Sequence, residues 1–100
     1  MSTDEKRANE TVSGANAARI ERWIEPNPHI PGVAEAWVGE FGISVWALIG
    51  YLELMHGNMA DVAEDYRIPP EALEAAVAYS LLHQKEIDAR IAFNRAAFVA

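Results

Sequence analysis

The chain has no cysteine in its 100 residues, which excludes a disulfide framework, a thiolate zinc site and a cysteine nucleophile. It has only three histidines, His29, His56 and His83, and none stands at the H-x-x-x-H or H-E-x-x-H spacing that puts two ligands on one helix face. No glycine-rich phosphate loop and no G-x-S-x-G elbow is present. No catalytic residue, metal ligand or cofactor is therefore expected. Long apolar runs are also missing. The most apolar stretch, ISVWALIGYL, has about half the length needed to span a bilayer and is followed by Glu53. The opening residues, MSTDEKRANETVSGANAA, lack the apolar core of a signal peptide. A soluble, cytoplasmic protein without a membrane role is the expectation.

What is present is apolar and acidic. Half of the residues are hydrophobic, 23% are charged and the net charge is −7, a composition that folds rather than stays disordered. A single domain this small is only marginally stable alone, which favours a partner or self-association. The charge is unevenly placed. Residues 1–22 carry four acids and four bases, residues 23–69 carry seven acids against Arg67 alone, and residues 70–100 carry four acids and three bases. Non-specific DNA affinity comes mostly from neutralising phosphates. An acidic middle fits a basic protein partner better.

The organisation predicted is mainly α, with a short N-terminal β element before a helical unit. Residues 1–18 read as a disordered tail, and 19–100 as one domain. RIERWIE (19–25) alternates weakly, as a short strand would. PNPHIPG (26–32) is a loop, and VAEAWVGEFGI (33–43) supplies one or two further strands with Gly39 and Gly42 as bends. Helix signals run from Ser44, an N-cap, through VWALIGYLELMH, with Val45, Leu48, Ile49, Leu52 and Met55 on one face. Gly57 ends that helix, Asn58 caps the next, and Pro70 suits the first turn of the last. From Pro70 no breaker follows, so a long C-terminal helix is expected with the stripe Leu73, Val77, Leu81, Gln84, Ile87, Ile91, Phe98. If continuous it would reach ~43 Å, more than the rest of the domain can cover. Residues 86–100 are therefore expected to pack on another chain, with Ile87, Ile91, Phe93 and Phe98 as apolar anchors and Asp88, Arg90 and Arg95 setting register.

DVAEDYRIPPEALEAAV (61–77) has the outline of a helix-turn-helix. Val62, Ala63, Tyr66, Ile68, Leu73 and Ala76 would form its core, with Arg67 where the turn usually holds glycine. Its second helix has no lysine or arginine from Pro69 to Leu82. The face it would present is Pro69, Pro70, Glu71, Glu74, Ala75 and Ala78, which offers none of the side chains that read bases. Trp23, Trp37 and Trp46 read as core or interface anchors rather than a base-stacking platform.

From about Ile20 to Phe98 the order of features resembles the bacterial family catalogued as domain of unknown function 433. The resemblance rests on GISVWALIGYL, DVAEDYRIPPEALEAAVAYSLLH and EIDARIAFNRAAF. It implies a short β element followed by a homeodomain-like trihelical unit, and an antitoxin-like role beside a small nuclease-like toxin of PIN-related fold. Where that family carries Gly-Thr-Arg, this chain has EFG (40–42), so nothing assigned to that arginine transfers. Two functional expectations follow, the first a homodimeric, antitoxin-like subunit covering a basic toxin partner. The alternative is a dimeric, DNA-binding autoregulator using Arg19, Arg22 and Arg67, or else a structural homodimer.

Overall fold

A computed structural model describes residues 14–99, with side chains as far as Ala97. The fold is mainly helical with a small antiparallel sheet. Helix α1 covers residues 14–23. After it come strand β1 (Ile24–Glu25), a 3-10 turn (Val33–Glu35), β2 (Trp37–Val38) and β3 (Ile43–Ser44). Four helices complete the chain: α2 (Val45–Leu54), α3 (Met59–Tyr66), α4 (Pro70–Leu82) and α5 (Gln84–Val99). None of them is long and apolar enough to cross a membrane.

The strands pair in the order β1-β2-β3, with Ile24 opposite Val38 and Val38 opposite Ile43. A two-residue strand stabilises little by itself. The ribbon holds because Ile24 and Val38 are buried in the same core as the helices. Gly42 makes the β2–β3 turn at φ 65, and its N–H donates to the Val38 carbonyl at 2.8 Å.

The helix signals correspond to physical ends. Ser44 precedes α2 in extended conformation, although its side chain makes no capping bond. The Asn58 side chain accepts from the Asp61 N–H at 3.0 Å and so caps α3. Arg67 ends α3 in the left-handed region at φ 57, and the Ile68 N–H returns to the Ala63 carbonyl at 3.0 Å. Pro69 is extended and Pro70 opens α4. Val62, Ala63, Ile68, Leu73 and Ala76 are buried and Tyr66 is half-buried against them, as expected for this pair of helices.

Three expectations are corrected. The segment 19–25 is helix as far as Trp23, and only Ile24–Glu25 is strand. Ile20, Trp23 and Ile24 recur at helical spacing and turn inward together. Of the stretch read as a tail, residues 14–18 are helical and 1–13 lie outside the described residues.

The third correction concerns the C-terminus. The chain does not run on as one helix: it turns at His83 (φ −125, ψ 40), and α5 folds back. The stripe is broken there, leaving Leu81 66% exposed while Ile87 and Ile91 enter the chain's own core at 0% and 5% exposure. Ion pairs hold α5 at two points, Arg90 to Glu35 and Arg95 to Glu53, each at 2.8 Å.

Candidate functional site: the face of α4 and its surroundings

Glu71, Glu74, Ala78 and Leu81 follow one another at spacings of three and four along α4, so they form one stripe. Helix α1 lies along it. Arg19 Nε stands 3.9 Å from Glu74 Oε2. Arg19 and Arg22 share a cavity of about 310 Å³ with Glu71. Asn16 and Ala17 line another, of about 330 Å³, with Ala78, Leu81 and Leu82. Ala75 and Ala78, expected on the outward face, are buried at 0% and 8%, Ala75 in the main core and Ala78 beside Asn16 and Ala17 of α1. For these two alanines the expectation is corrected, whereas Pro70, Glu71 and Glu74 are exposed as expected.

The candidate DNA contacts can now be placed. Arg19 and Arg22 come together on α1, but beside Glu71 and Glu74. The Arg22 guanidinium also lies 4.3 Å over the Trp23 ring. Arg67 is separate from them on the α3–α4 turn, exposed, with its backbone terminating α3.

The interface residues expected on α5 divide. Ile87 and Ile91 are corrected, since their side chains are consumed inside the monomer. Arg90 is engaged by Glu35 and stacks 4.1 Å over the Trp46 ring, and Arg95 is engaged by Glu53. Phe93 remains outward at 71% exposure, and the Phe98 side chain lies outside those described.

An apolar groove of about 450 Å³ opens between α3 and α4. Met59, Ala60, Ala63, Ile68, Pro70 and Leu73 form its walls, and Glu64 and Glu74 are its charged residues. The unit from Met59 to Leu82 carries five acids (Asp61, Glu64, Asp65, Glu71, Glu74) and one base, Arg67. A surface of that sign repels phosphate and attracts cationic groups.

Among the described residues no three His, Asp or Glu side chains gather as metal ligands. In the sequence EDY, Asp65 accepts the Tyr51 hydroxyl at 2.5 Å, and Tyr66 meets the Tyr51 ring edge-on at 5.4 Å between centroids. The Asp65 hydrogen bond, together with desolvation, holds the Tyr51 phenol above its ordinary range. The Tyr79 hydroxyl, raised by burial and then by Glu86, donates to the Val33 carbonyl at 2.7 Å and ties α4 to the 3-10 turn.

Sequence reasoning missed the groove and the contact of α1 with α4, both of which depend on where helices meet. A signal for α1 existed in the alanines of ANAA, ahead of Ile20 and Trp23. No family model, characterised protein or solved structure matches the chain.

Proposed function

We propose that this protein is a non-enzymatic, antitoxin-like subunit that binds and covers a basic, nuclease-like partner. One observation carries the reading. The helix that would read DNA exposes Glu71 and Glu74 on the side where α1 meets it, and the charges there and in the adjoining groove are carboxylates except for α1's own Arg19 and Arg22. A helix enters the major groove with its outer side chains free and with cations at the phosphates. The second condition fails on α4, whose exposed charges are Glu71 and Glu74. An acidic, partly apolar surface suits a cationic protein surface instead. The resemblance to the antitoxin-associated family, with a toxin partner of PIN-related fold, points the same way.

The test is affinity capture of the full chain from its own cells after nuclease treatment. The expected result is a basic protein whose RNA-cleaving activity falls when the purified chain is added back. Recovery of the chain alone would sink the reading.

Self-association is compatible with it and rests on Leu81, Leu82 and Phe93, exposed at 66%, 70% and 71%. Light scattering tests the homodimer: Leu81→Ser with Leu82→Ser should give a monomer, and an unchanged mass excludes these leucines as its interface.

A further inference from the structure

We infer that the α3–α4 groove is the docking site for a cationic amphipathic segment of a partner protein, a proposal that rests on the interaction reading above. The groove has a floor of Met59, Ala63, Ile68 and Leu73, enough for one or two aliphatic or aromatic side chains in its volume of about 450 Å³. Its charged residues are Glu64, on α3, and Glu74, on α4. The chemistry recognised is therefore an apolar residue flanked by lysine or arginine.

The molecule already shows the polar half of this contact. Arg19 of α1 reaches Glu74 at 3.9 Å, with the two side chains 42% and 47% exposed. A guanidinium therefore meets the groove's rim from one side, in an open, solvent-screened geometry that a better-placed cation displaces. Within α3 and α4 Asp61, Asp65 and Glu71 add charge of the same sign against Arg67, and α1 brings Arg19 and Arg22 to the Glu71–Glu74 side. Long-range attraction then orients a basic segment before its apolar residue enters the floor. Nucleic acid is excluded as the occupant by the same carboxylates.

The probe is a fluorescein-labelled helical peptide with leucines on one face and lysines and arginines on the other, paired with a control in which serine replaces leucine. The full chain should bind the first with a Kd on the order of 10–100 μM and the control at least about tenfold more weakly. Amide shifts in a 15N-labelled chain should centre on Met59, Ala63, Glu64, Ile68 and Leu73. Ala60 is exposed at the groove wall, so Ala60→Trp should fill the site and weaken binding about tenfold. Glu64→Gln with Glu74→Gln should weaken it several-fold without touching the core and should flatten its salt dependence. Arg19→Ala, which releases Glu74, should tighten it by about twofold.

Equal binding of both peptides, shifts spread over the acidic surface, or no shifts up to about 1 mM peptide would each overturn the groove assignment. The two readings fail separately. If a captured natural partner protects another face from exchange and is indifferent to Ala60→Trp, the groove proposal falls while the interaction reading stands. If the peptide binds as expected but no natural partner is recovered, the interaction reading falls alone.

Discussion

Arg90 Nε donates to Glu35 Oε2 at 2.8 Å across 55 residues of chain, and the same guanidinium lies 4.1 Å over the Trp46 ring. One α5 side chain thus grips the 3-10 turn between β1 and β2 and the first turn of α2. The pair is mostly withdrawn from solvent, at 26% and 14% side-chain exposure. Arg90→Ala should lower the unfolding free energy by about 2 kcal/mol, since it strands a sheltered carboxylate. Arg90→Lys should recover less than half of that, because an ammonium keeps the charge but loses the planar stack. Urea unfolding of the three proteins decides it, and equal stability of Arg90→Lys and the parent would deny the stacking role.

Ile87 and Phe93 lie on the same helix at opposite extremes of exposure, 0% and 71%. Ile87→Ala should cost about 2–5 kcal/mol through lost burial and a cavity, whereas Phe93→Ala should stay within about 0.5 kcal/mol. Thermal unfolding of both variants distinguishes a folded-back α5 from a projecting one. Near-equal, small effects would mean that α5 is not part of the core.

Arg67 occupies a left-handed conformation at φ 57, ψ 47, which costs an L-residue side chain roughly 1 kcal/mol. Arg67→Gly should therefore stabilise the protein by somewhat less than about 1 kcal/mol, net of the glycine's larger unfolded-state entropy. A loss of stability in chemical unfolding would show that the arginine side chain contributes a contact worth more than the backbone relief.

The Tyr51 phenol donates to Asp65 at 2.5 Å and its pKa is raised, chiefly by that hydrogen bond. A group whose folded pKa exceeds its unfolded value stabilises the fold while protonated. The contribution is therefore complete below the ordinary tyrosine range and is lost as pH rises through the elevated folded value. Tyrosinate absorbance should show Tyr51 ionising late, with the late component removed in Tyr51→Phe and moved earlier in Asp65→Asn. An unchanged titration in Asp65→Asn would refute the assigned cause.

Much of the helical part was legible in local chemistry. Asn58, Gly57, Pro70 and the apolar spacing from Val45 to Met55 mark real ends and a real buried face, because caps and periodicity act within a few residues. The turn at His83 was not legible. No glycine or proline marks it; it forms because Ile87 and Ile91 gain more from the core than an uninterrupted helix would from its backbone bonds, and because Arg90 and Arg95 find acids 55 and 42 residues away. The strand read at 19–25 failed for a related reason. A weak alternation and the helical spacing of Ile20, Trp23 and Ile24 coexist in that segment, and packing against α4 decides between them. The candidate site shares this dependence: its acids are visible in the sequence, but the burial of Ala75 in the core and of Ala78 beside α1 is purely tertiary.

The proposed role of α4 is to meet a protein partner, not DNA. Its most direct test is a titration of the full chain with duplex DNA from its own upstream region, at low salt and again near physiological salt. No binding at either is the predicted result, since the carboxylates of α4 repel phosphate most strongly where screening is least. Tight, sequence-dependent binding with a steep salt slope would contradict it.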